Sequence, residues 1–209
     1  MTVAMLQELA DHPELAHRWT TDDYHRMLSD GTIIEGDPYE LLDGQVVPKI
    51  RSTGQGQEEL SMEGPPHARV VKRLVKLNDL FAPFGCHTQC AHPVLLPPHD
   101  EPEPDGAVIR GPESDYDNRH PGAADVLCVI EVSGKSLRRD LGYKRELYAR
   151  HAIPLYVIFN LVETAVELYT DPVPGAGRYA RETLASLDGD LAFPTAGAPV
   201  IVPVRRLFP

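Results

Sequence analysis

Little in this chain suits an extracellular or membrane-embedded protein. Its 209 residues contain 3 cysteines, Cys86, Cys90 and Cys128, too few and too uneven in number for a disulfide framework, so a reducing compartment is expected. No apolar run approaches the roughly 18 residues that span a bilayer. Met1 to Ala16 holds acidic residues and a proline rather than the basic start and apolar centre of a signal peptide. A cytoplasmic protein with no membrane partner is the expectation. Positive charge is also scarce: 20 Lys and Arg against 31 Asp and Glu leave a net charge of −11. That excludes nucleic-acid binding driven by an overall positive field and leaves room only for a local basic groove.

What is present is globular. Hydrophobic residues at 42% and charged residues at 24% exclude a disordered chain, and the length fits one domain with a core of its own. Residues 1–17, broken at His12-Pro13, read as an N-terminal arm, and 18–209 as the domain. Thr20 or Thr21 caps a predicted helix carrying Tyr24, Met27 and Leu28 and stopping at Gly31. Glu40 to Val47 reads as a hairpin turning at Asp43-Gly44. Arg51 to Pro66 is polar and Gly-rich, a loop that is either a lid or a tolerated insertion.

From His67 to Phe81 the apolar residues Val70, Leu74, Leu77 and Phe81 follow helical spacing, with Arg69, Lys72, Arg73 and Lys76 on the other side. This basic face is either ordinary solvated surface or a seat for a phosphate backbone. Strands are predicted at Val94–Leu96, Gly106–Arg110, Val126–Val132, Leu155–Leu161 and Ala165–Tyr169, with Tyr179–Leu187 and Pro199–Leu207 as further edge strands. The continuous apolar run Val126 to Ile130 fits a strand buried on both faces. A helix over Leu137 to Arg150 makes a parallel crossover to the next strand, which places the chain in the α/β (α+β) class with a mixed sheet.

Two acidic residues in this pattern cannot simply be solvated. Asp105 precedes the apolar run Ala107-Val108-Ile109, and Glu131 ends the run from Val126. If these strands pair antiparallel, Asp105 faces Glu131. Two such carboxylates repel unless a cation lies between them, and oxygen-only ligands, the Val132 carbonyl included, suit Mg²⁺ or Mn²⁺. On the crossover helix Lys144 shares the inward stripe with Leu141 and Tyr148, which points an ammonium toward the sheet. Asp140, one turn earlier, is placed to pair with it. Other signals fail: Gly134-Lys135-Ser136 lacks the upstream glycine of a P-loop, and Cys86, His87, Cys90 and His92 lack a second pair at a zinc spacing.

The segments Arg18 to Tyr24, Tyr39 to Gly44, Pro66 to Val70, Glu101 to Asp105, Val129 to Ser133, and Asp140 through Lys144 to Arg150 together resemble the Uma-type family, restriction-endonuclease-like domains of the PD-(D/E)xK nuclease superfamily. The resemblance implies a mixed sheet flanked by helices in a single domain. It implies Asp105 and Glu131 as metal-binding acids and Lys144 as the signature lysine, migrated to the helix from the position of Ser133. Glu40 would be an additional carboxylate. The activity implied is Mg²⁺-dependent hydrolysis of DNA phosphodiesters, and a homodimer would suit a small nuclease that must cut two strands. Arg69, Lys72 and Arg73 on the basic helix, with His67 at its start, are the candidates to meet the substrate, His67 serving alternatively in capping or packing. Asn160 departs from the aspartate common in the family. The alternatives are a non-catalytic nucleic-acid- or protein-binding module on the same fold, in which the three residues form a buried ion network, and a hydrolase of a smaller phosphate ester.

Overall fold

A computed structural model of the chain describes residues 16–34, 36–49 and 64–208; the arm up to residue 15 and the loop over 51–63 lie outside the described residues. The chain divides into two compact units, the first including residues 96–102 beside the N-terminal stretch.

In the first unit, helix α1 (Thr21–Ser29) starts in a capping box. The Asp23 N–H donates to the Thr20 hydroxyl at 3.1 Å, and the Thr20 N–H donates to the Asp23 carboxylate at 3.0 Å. The Thr20 hydroxyl and N–H, which both donate to the Asp23 carboxylate, at 2.6 Å and 3.0 Å, hold that carboxyl down to about 2. Strands β1 (Tyr39–Leu42) and β2 (Gln45–Pro48) form the hairpin expected from Asp43-Gly44. Both turn residues have positive φ, 51° and 73°. Gly44 is required twice over, because a Cβ there would also come within 2.7 Å of the Arg18 Cβ.

In the second unit, six strands run in chain order across one sheet: β3 (Cys86–Gln89), β4 (Gly106–Arg110), β5 (Val126–Ser133), β6 (Leu155–Asn160), β7 (Ala165–Val173) and β8 (Arg178–Ala185). Only the β5–β6 pair is parallel. Its crossover is a helical run of α4 (Leu137–Arg139), a π-helical turn (Asp140–Lys144) and α5 (Arg145–Arg150). Every residue of β5 is buried, as its apolar run demands.

The two faces of this sheet are chemically different. On one, α2 (Pro65–Val75) and α3 (Asn78–Phe81) supply Val70, Leu74, Leu77 and Phe81 to a core with Ile130, Val132, Val157 and Phe159. On the other, Tyr148, Tyr156, Tyr169 and Tyr179 pack ring against ring, with centroids 5.0–6.4 Å apart. Alternation along β6 explains the division, since Val157 and Phe159 face one way and Tyr156 the other.

Three predicted elements need correction. The helix from His67 is interrupted after Val75 and restarts at Asn78, whose side-chain oxygen accepts the Thr88 N–H of β3 at 3.0 Å. The strand expected at Val94–Leu96 is reduced to single bridges, Leu95 to Gly122 and Leu96 to Asp100. Pro93, Pro97 and Pro98 around it have no N–H to offer a ladder. Finally, Pro199–Leu207 is no edge strand of the main sheet. Strand β10 (Val200–Pro203) pairs with β9 (Asp190–Phe193) in a separate two-stranded sheet, and Val204–Leu207 forms helix α6. Leu191, Phe193, Val200, Val202, Val204 and Leu207 all enter the core, which repays the departure from the sheet edge. Among the described residues no helix is long and apolar enough to cross a membrane.

Candidate active site

The β4–β5 ladder sets the site. Gly106 pairs with Ile130 in antiparallel register, so Asp105, just before β4, lies beside the last residues of β5, among them Glu131 and Val132. Asp105 reaches across: its Oδ2 accepts the backbone N–H of Val132 at 2.7 Å and lies 3.0 Å from Nε2 of His67. His67 is the third residue of α2 and lies on the same stripe as Val70 and Leu74. It is therefore an inward residue, on the side of the helix away from Arg69 and Lys72.

Glu131 alternates with Ile130 and Val132 and so points toward the crossover. One oxygen, Oε1, accepts two donors: Lys144 Nζ at 2.9 Å and the Tyr148 hydroxyl at 3.0 Å. Lys144 and Glu131 are only 6% and 5% exposed. The inward ammonium expected from the helix stripe is thus seated on a carboxylate, and both members are shielded from water.

The helix that delivers Lys144 is irregular where it does so. The Arg145 N–H bonds to the Asp140 carbonyl, five residues back, which is the π-helical spacing. π-Turns of this kind are rare and concentrate at functional sites. Two groups from the sheet brace it: the Tyr156 hydroxyl donates to the Asp140 carbonyl at 3.1 Å, and the Ser133 hydroxyl donates to the Asp140 carboxylate at 2.7 Å. Burial raises the Asp140 pKa, against the Lys144 ammonium and the hydroxyls of Ser136 and Ser133, which lower it. Ser133, at the strand position of the signature lysine, therefore anchors the turn that carries Lys144.

Arg69 and Lys72 are exposed on α2, while Arg73 is half-buried and donates to the Leu207 carbonyl at 3.3 Å. Glu40 belongs to the first unit, where it is buried on β1 opposite Val47. Asn160 ends β6 beside Ser133; its amide donates to Glu167 at 2.9 Å, and its oxygen accepts the N–H groups of Val162 and Glu163. An aspartate there would set a second carboxylate against Glu167.

The Asp105–Glu131 pair suits a hard divalent ion. Its donors are carboxylates with a peptide carbonyl nearby, and no soft ligand is among them. Among the described residues no group of three or more His, Cys, Asp or Glu side chains is placed to hold an ion. The described residues therefore offer no closed all-protein cage of such side chains.

Comparisons with known proteins agree with this architecture. A crystal structure of "a putative nuclease belonging to DUF820" from Anabaena variabilis matches with a TM-score of 0.65 over 90% of this chain and 97% of that one. At 14% identity, that likeness establishes the fold. No curated protein matches the chain in sequence. The Uma2 family model, described as "Putative restriction endonuclease", matches residues 21–200, a span that holds Asp105, Glu131 and Lys144, and the chain belongs to that family.

Proposed function

We propose that the protein is a divalent-metal-dependent endonuclease that hydrolyses DNA phosphodiester bonds. The observation that supports this reading is that Asp105 accepts the Val132 N–H, next in sequence to Glu131, while Lys144 reaches Glu131 from the crossover helix. Asp105, Glu131 and the Val132 carbonyl would hold Mg²⁺ or Mn²⁺, which when bound supplies Lewis-acid activation of a phosphate and of a water. Lys144 offers a positive charge beside the reacting phosphate and steadies Glu131. His67 keeps Asp105 in place from the opposite face of the sheet. Arg69 and Lys72 present local positive charge in a chain of net charge −11. They carry the phosphate contacts in this reading.

The test is incubation of the purified protein with plasmid and single-stranded DNA, with Mg²⁺, Mn²⁺ or EDTA. Cleavage that requires the metal supports the reading, and no cleavage under any condition removes it. The internally satisfied pairs His67–Asp105 and Lys144–Glu131 favour a second reading, a non-catalytic nucleic-acid-binding module. Metal-independent DNA binding without cleavage is the result that selects it.

Binding has its own signature. Arg69→Ala and Lys72→Ala are each expected to weaken DNA binding similarly for all sequences and to reduce the slope of log K against log salt by about 1. Fluorescence anisotropy over a salt series measures both. An unchanged slope moves the phosphate contacts away from α2.

A further inference from the structure

We infer that Tyr148 is a positioning residue for the metal-binding carboxylate of Glu131; the inference rests on the metal-site reading above. Tyr148 is fully buried against Tyr156, a setting that a phenylalanine would fill equally well, yet it brings a hydroxyl into the interior. That hydroxyl is spent on Glu131 Oε1, the same oxygen that takes Lys144 Nζ, at 3.0 Å and 2.9 Å respectively. Residues 144 and 148 are one helical turn apart, so one face of the helix delivers both donors together.

Two donors converging on one oxygen fix the rotation of the Glu131 carboxylate before any cation arrives. An ammonium on a flexible four-carbon stem fixes a carboxylate's position but tolerates its rotation. The phenol is rigid, held by ring packing against Tyr156, and is the orienting member of the pair. Partners that orient a ligating carboxylate are worth roughly 10–100-fold in metal affinity or activity.

The experiment compares wild type, Tyr148→Phe and Tyr179→Phe as full-length chains. Tyr179 is the control, because its buried hydroxyl donates to the Ile153 carbonyl, and its ring belongs to the same aromatic group. Mn²⁺ affinity is read directly from the free-ion electron paramagnetic resonance signal, and the metal dependence of plasmid cleavage is read beside it. Tyr148→Phe is expected to weaken Mn²⁺ binding about tenfold and to raise the half-saturating metal concentration by the same factor. Tyr179→Phe is expected to leave both unchanged. Wild-type Mn²⁺ affinity in Tyr148→Phe overturns the inference, as does an equal loss in Tyr179→Phe. If the wild type binds Mn²⁺ but cuts no DNA, the nuclease reading falls and the affinity comparison still decides the role of Tyr148. If the wild type binds no Mn²⁺, both fall.

Discussion

Lys144→Met should cost the protein about 3–5 kcal/mol of stability and lower its cleavage rate by roughly 10²–10³-fold. Methionine fills nearly the same volume, so the cavity contribution is small and the result reports the charge. Without the ammonium, the Glu131 carboxylate is left in surroundings where its side chain is 5% exposed. Breaking such a pair is costly because the surviving charge stays buried, and the native pair itself can contribute little net stability. The double variant Glu131→Gln, Lys144→Met separates these effects. It should recover most of the lost stability in urea unfolding and none of the activity. If Lys144→Met alone unfolds at the wild-type urea concentration, the ammonium does not belong on Glu131.

The second large effect falls on Asp105, where two substitutions should part company. Asp105→Asn retains an oxygen for the Val132 N–H, which now donates to Oδ2 at 2.7 Å. It should keep stability within about 1 kcal/mol while losing metal-dependent cleavage by at least about 100-fold. Asp105→Ala should be equally inactive and additionally less stable by about 1–3 kcal/mol, since it orphans the N–H of a buried strand residue. Cleavage assays at saturating Mg²⁺ beside urea titrations of both variants make the comparison. Wild-type cleavage by Asp105→Asn sinks the proposed site.

Much of this arrangement was legible in the sequence because it rests on periodicities. The unbroken apolar run from Val126 announced a central strand, and a helix between it and Leu155 required a parallel crossover. The spacing of Leu141, Lys144 and Tyr148 pointed the ammonium inward. The three- and seven-residue spacing of His67 to Val70 and Leu74 likewise places it on the buried stripe, in keeping with a packing role. Tyr148 reads as a member of the inward stripe, and nothing in such a stripe reveals a hydroxyl's partner. The π-turn was hidden for a deeper reason. Its geometry is decided by the brace between Ser133 and Asp140 and by Tyr156, contacts made across the crossover rather than along it. The lost strand at Val94–Leu96 could have been anticipated from the prolines on either side of it.

One consequence of the paired carboxylates concerns how such a protein is made. In small zinc domains the free energy of metal binding is the free energy of folding, so the apo chain is unfolded and a chelator denatures it. Here the acidic residues have partners within the chain: Asp105 has His67 and a backbone N–H, and Glu131 has Lys144. If the chain binds a metal as proposed, folding and metal loading would be separate events. In the proposed function, the chain would be held in its final shape before any ion binds, and cleavage would wait for both metal and DNA.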